Sequence, residues 1–212
     1  MSNRANLPAV NELERMQLAA DSDAGMQRML KFVKGKYRIG DDEVPVGTTF
    51  IAHPIGWTKC WIKFEDQQFI ERKMYRVAEG ARVPDRDELG DMDSSQWGPG
   101  MSGPHSDPWS MQYLLPLEDP ETGEVVVFVT GSVGGRRAVA GLCGIYARRK
   151  SRDRAIGSPK IGLFVGEMPT SQYGKVPCPI LKLQGWTTGG EEVREVTGEV
   201  SSPGDMDDEI PF

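Results

Sequence analysis

Cysteine and histidine are scarce in this chain. Three cysteines (Cys60, Cys143, Cys178) and two histidines (His53, His105) are spread over 212 residues, with no Cys-x-x-Cys pair among them. A structural zinc site needs several closely spaced nitrogen or sulfur ligands, so none is expected. The thiols read as reduced and buried, as in a cytosolic protein. Long apolar runs are missing too. Nothing approaches the roughly 20 residues of a membrane span, and no signal-peptide pattern opens the chain. The expectation is a soluble, cytoplasmic protein. Catalytic signatures are equally thin: there is no Gly-x-Ser-x-Gly elbow and no His-Glu-x-x-His helix. No cofactor and no enzymatic activity are expected.

Glycine and proline are what the chain has in quantity. With 25 Gly, 15 Pro and 38% apolar residues, it suits a loop-rich β domain better than a helical bundle. The length fits one domain with tails or one large insertion.

Charge is segregated, and the net −6 hides it. Residues 28–78 carry ten Lys/Arg against six acids, and residues 131–186 carry ten against Asp153 and Glu167. Residues 79–130 hold two basic and eleven acidic residues, and residues 187–212 hold Arg194 against eight acids. Two basic blocks beside an acidic tail suit a body that binds a polyanion and a tail that competes for it or recruits a partner.

The periodicity predicts the following order. Residues 1–30 read as a helical or flexible arm, with helices near Leu13–Leu18 and through Met26, Met29 and Leu30. Strands follow at Val46–Ala52, from Trp57 to Phe64, and from Phe69 to Val77, with a turn at Glu65-Asp66-Gln67. Residues 79–110 are an acidic surface excursion. A hairpin at 111–130 turns at Asp119–Gly123. A helix from Ala138 ends in Arg148-Arg149-Lys150, which suits its negative C-terminal dipole. Strands at Lys160–Gly166 and Gly174–Leu183 close a domain spanning 31–186, and 187–212 is a flexible acidic tail. The fold expected is mainly β: an OB-like Greek-key barrel with one internal helix.

Single strands are bound by a basic groove with aromatic faces for base stacking. In an ideal strand Trp57, Lys59, Trp61 and Lys63 share one face, while Thr58, Cys60, Ile62 and Phe64 share the other. Arg72, Lys73 and Arg76 follow, with Phe69 and Tyr75 as further aromatics. Core packing of Trp57 and Trp61, with the lysine stems passing over them, is the competing reading. The run Gly131 to Arg137 enters a helix after an apolar strand. It lacks the Gly-Lys-Ser/Thr ending of a nucleotide loop, so Arg136 and Arg137 are candidates for a backbone phosphate or are simply exposed at a turn. Asp85, Asp87, Asp91 and Asp93 offer oxygens without calcium-loop spacing, so a solvated acidic loop is favoured over a metal site. A metal-dependent nuclease using Asp85, Asp91 and Asp93 is the enzymatic rival.

The chain ends Asp205-Met206-Asp207-Asp208-Glu209-Ile210-Pro211-Phe212. A terminal Phe offers a ring and a carboxylate together, which an apolar slot rimmed by Arg or Lys would capture. This tip resembles the C-terminus of the bacterial single-stranded DNA-binding proteins, a run of Asp followed by Ile-Pro-Phe. Glu209 stands where the family usually has Asp. The resemblance covers about 8 of 212 residues and implies a role in replication, recombination or repair. By that resemblance Asp207, Asp208, Ile210, Pro211 and Phe212 would dock into basic, apolar pockets on partner enzymes. The body does not visibly match the family's usual barrel, which points to a phage or prophage type. The implied function is a protein that coats single-stranded DNA without sequence preference, as a possible homo-oligomer. The rival of another class is an adaptor that binds no DNA and uses the tip to capture the enzymes that dock it.

Overall fold

The computed structural model describes residues 28–66, 68–98, 105–171, 174–188 and 191–195. These residues form a mainly β structure with one long helix. The strands are β1 (Met29–Val33), β2 (Lys36–Ile39), β3 (Asp42–Val44), β4 (Thr49–Ala52), β5 (Thr58–Glu65), β6 (Gln68–Arg76), β7 (Trp109–Glu118), β8 (Val125–Thr130), β9 (Pro159–Thr170), β10 (Gly174–Thr188) and β11 (Glu191–Glu195). Helix α1 spans Val133–Arg152. The main strand order is β11-β10-β9-β4-β7-β8-β1-β2-β3, and β5 and β6 branch from β7. The sheet is mixed, because β1 runs parallel to β8, and it is not closed.

Local chemistry explains most of these elements. Lys34 and Gly35 both have positive φ (50° and 81°), as a two-residue turn needs to pair β1 with β2 tightly. Asp119 Oδ1 accepts the backbone N–H groups of Glu121 and Thr122 at 2.8 and 3.1 Å and shapes the β7–β8 turn. β8 reads Val-Val-Val-Phe-Val-Thr, with Val126, Val127 and Phe128 all buried, as expected of a strand covered on both faces. Ser132 caps α1 by accepting the Gly135 N–H at 3.1 Å.

The core lies on one face of the curled sheet. Leu30, Phe50, Ala52, Leu115, Leu117, Phe128, Ile161 and Leu163 fill it, and α1 closes it with Val139, Leu142 and Cys143. Curling brings β2 beside β9 and β10. There the buried Tyr37 hydroxyl donates to the carbonyls of Phe164 (2.8 Å) and Ile180 (3.3 Å). A Cβ built on Gly35 would lie 3.4 Å from Pro177 of β10.

Three expectations are corrected. Met29 and Leu30 begin β1 rather than extending a helix, because Leu30 packs into the core opposite Phe128 and pairing with two strands overrides a helical spacing. Lys36–Ile39 and Asp42–Val44 are strands, so the β region starts before Val46. The folded region does not end at Trp186: β10 runs to Thr188, and β11 pairs with it antiparallel inside the expected tail. The rest of the expected N-terminal helices lies outside the described residues.

Candidate nucleic-acid interface

β5, β6 and the first half of β7 form a three-stranded wing beside the core. Register builds its faces. Lys59 stands between Tyr75 and Tyr113, Trp61 between Lys73 and Met111, and Lys63 between Glu71 and Trp109. Facing residues of paired strands share a face, so one face collects Lys59, Trp61, Lys63, Lys73, Tyr75, Trp109 and Tyr113. The opposite face takes Thr58, Cys60 and Ile62, all buried. The division expected from alternation along Trp57–Lys63 therefore holds in the folded chain. Phe64 departs from it: the register shifts between Lys63 and Phe64, and Phe64 meets Phe69 edge-on at 6.0 Å.

The aromatic, basic face has two halves. In the first, Lys59 Nζ lies 5.6 Å from the centre of the Trp57 ring and 5.5 Å from that of Tyr113, and the two rings are 5.5 Å apart. No carboxylate pairs with Lys59 among the described residues. Trp57 also packs against the core, and its buried Nε1 has no partner among the described residues, so shape rather than hydrogen bonding holds the ring. Its ring thus leans on the core and also flanks the lysine.

The second half is covered by the chain itself. Between β6 and β7 the excursion makes 3-10 turns at Val77–Glu79, Arg86–Leu89 and Ser94–Gln96 and folds back over the wing. Trp61 Nε1 donates to the Pro84 carbonyl at 3.0 Å. Asp91 Oδ2 accepts from Trp109 Nε1 at 2.9 Å and pairs with Lys63 Nζ at 3.1 Å. Lys63 also reaches Glu65 at 2.6 Å, and its side chain is only 17% exposed. Lys73 Nζ sits 4.7 Å from the Trp109 ring centre. The hydrogen bond from Trp109, then that from Lys63, hold the Asp91 carboxyl below its ordinary range. Trp109 was missed as a site residue. Its parity with Tyr113, Leu115 and Leu117 along β7 was the available signal.

The other expected basic residues are dispersed. Arg72 lies on the opposite face, paired with Ile62 and over the Phe69 ring at 5.5 Å, with no ion pair among the described residues. Arg76 pairs with Glu79 at 3.2 Å and Lys73 with Glu71 at 3.5 Å. Arg136 and Arg137 stand on α1, away from the wing strands in sequence. Arg137 is exposed, whereas Arg136 is half-buried with its Nε unpartnered among the described residues. The glycines before them serve packing. A Cβ on Gly134 would meet Cys178 at 2.8 Å, and one on Gly135 would meet Thr130 Oγ1 at 1.9 Å.

Of the acids in the nuclease reading, Asp91 and Asp93 line one cavity and Asp85 does not. Asp91 is engaged with Lys63 and Trp109, and Asp93 accepts from Ser95 and Gln96. Carboxylates of Asp85, Asp87 and Glu88 do come within 4.8 Å of one another, all exposed, but Glu88 already binds Arg82 and the Asp85 N–H. A cavity of about 340 Å³ where the excursion meets the β5–β6 turn is lined by Asp66, Asp91 and Asp93 with Phe64 and Trp97. Its charge repels a phosphate. The tip residues Asp207, Asp208, Ile210, Pro211 and Phe212 lie outside the described residues. No helix among the described residues is long and apolar enough to cross a membrane.

No protein-family model matches the chain, and no curated protein or solved structure matches it.

Proposed function

We propose that this protein binds single-stranded DNA without sequence preference and recruits replication, recombination or repair enzymes through its C-terminal tip. The observation that carries the reading is the Lys59 ammonium set between the Trp57 and Tyr113 rings, with no carboxylate to neutralise it among the described residues. Bases stack on aromatic faces whatever their identity, and a neighbouring cation takes the phosphate, so this pairing suits a strand of any sequence. The curled sheet plugged by α1 supports the finer reading of an OB-like barrel, a fold that serves single-strand binding elsewhere. The tip supplies the second half of the function, with Phe212 as its anchor.

The test is fluorescence anisotropy of a labelled single-stranded oligonucleotide against the full chain across a salt series. Binding should weaken steeply with salt, with little affinity for duplex. Lys59→Ala should lower the affinity and reduce the log–log salt slope by about 0.7, the share of one phosphate contact on a single strand. A chain ending at residue 204 should keep its DNA affinity. Absence of binding at low salt overturns the reading and leaves a tip-bearing adaptor.

A further inference from the structure

The covered half of the wing has the same chemistry as the open half. Trp61, Lys63, Lys73 and Trp109 continue the face of Lys59, Tyr75 and Tyr113 on the same three strands. What covers them imitates a strand's polar groups. A single carboxylate oxygen of Asp91 takes the Lys63 ammonium and the Trp109 indole N–H, two donors that a phosphate oxygen would use. The Pro84 carbonyl takes the Trp61 indole N–H, as a base or sugar oxygen would.

The cover contributes little to the fold. No residue from 77 to 98 is buried, and none of its backbone pairs in a sheet. Segments with few buried apolar contacts open at low cost. Its main tie elsewhere is Arg86. That side chain grips both oxygens of Asp107 at 2.6 Å and holds the carbonyls of Gly90 (2.6 Å) and Asp91 (3.1 Å). Arg86 therefore sets the position from which Asp91 reaches the wing.

Resting on the single-strand reading above, we propose that residues 82–98 are a displaceable acidic cover over a latent second half of the DNA track. A strand docks first at Lys59, Trp57 and Tyr113. It then displaces the Asp91 carboxylate from Lys63 and Trp109 and extends over Trp61 and Lys73.

The test compares oligonucleotide affinity of the full chain with Asp91→Asn, Arg86→Gln and Asp87→Asn, alongside hydrogen exchange of residues 82–98 with and without a single-stranded oligonucleotide. Asp91→Asn should bind about five-fold more tightly, the factor one exposed ion pair carries. Arg86→Gln should also bind more tightly although it removes a positive charge, a sign that simple electrostatics would not produce. Asp87→Asn matches the charge change of Asp91→Asn but has no contact with the wing, and should stay near the unsubstituted protein. Exchange in 82–98 should rise when DNA binds, while β7 and β8 stay protected and show that each variant is folded. If the protein binds DNA, the Asp91 and Arg86 variants bind equally, and 82–98 stays protected, the cover is a fixed part of the fold and the proposal fails while the binding reading stands. If no variant binds at low salt, both fail. Binding by the two opened variants alone would support both.

Discussion

Asp91 and Lys63 show how one contact changes the meaning of a residue. Read along the strand, Lys63 is a free cation beside Trp61. In the folded chain it is drawn to two carboxylates, Glu65 and Asp91, and its side chain is mostly covered. Lys59, two residues earlier on the same face, lies against rings instead. Cation–π contacts and exposed ion pairs are each worth about 1 kcal/mol or less, so neither arrangement is locked by energy alone. The cysteines make a sharper residue-scale prediction. Burial pushes the Cys60 thiol up to about 11 and that of Cys143 up to about 12. Cys178 is only half-buried, with its thiol also raised by burial. Because the thiolate is the nucleophile, iodoacetamide at pH 8 should modify Cys178 first, with Cys60 and Cys143 at least about ten-fold slower. Peptide mass spectrometry over time reads this directly, and comparable rates at Cys60 would contradict the packing of the wing's inner face.

At the scale of elements, α1 carries glycines of opposite kinds. Gly135 lies so close to Thr130 that a methyl group has no room, whereas a Cβ on Gly141 meets nothing within 4 Å. Gly135→Ala should therefore destabilise the protein by about 1–3 kcal/mol through overpacking. Gly141→Ala, exposed in the helix interior, should stabilise it by roughly 0.5–1 kcal/mol by restricting the unfolded chain. Denaturant melts of the two variants should shift in opposite directions; a shared direction would mean the α1–β8 contact is misplaced. Elements were legible wherever one physical cause dominated. Period-two alternation marked β5 and β7, and the Asp119–Gly123 turn marked the β7–β8 hairpin. β1 was not legible. Met29 and Leu30 fit a helical spacing equally well, and only pairing with β2 and β8 decides for the strand.

For the whole molecule, the curl of the open sheet rests on a few long-range contacts, and Tyr37 is the most specific of them. Its hydroxyl joins β2 to β9 and β10 across more than 120 residues of chain. Tyr37→Phe keeps the ring contacts with Phe32 and Phe128 but removes the donor, and should cost about 1 kcal/mol in a denaturant melt. Burial also holds this phenol neutral, well above its ordinary 10.0. Its share of stability is therefore complete below pH 10 and lost as pH rises further. The phenylalanine variant should show a flatter alkaline limb. If the variant were as stable as the unsubstituted protein at neutral pH, the hydroxyl would be making no bond there.

Composition, alternation and the terminal motif by themselves determined the β-rich class, the aromatic and basic face of β5, and the acidic tip. Each of these depends on neighbours in sequence or on residue type alone. Only the tertiary structure decided that β6 and β7 extend that face, that Arg72 falls on the opposite side, and that the acidic excursion lies across Lys63 and Trp109. Those outcomes depend on register and on contacts between Asp91 and residues 18 or more positions away. A chain's local pattern does not encode which charged loop will find which face. That is settled by the curling of the sheet and by the pairing of charges that the curl brings together.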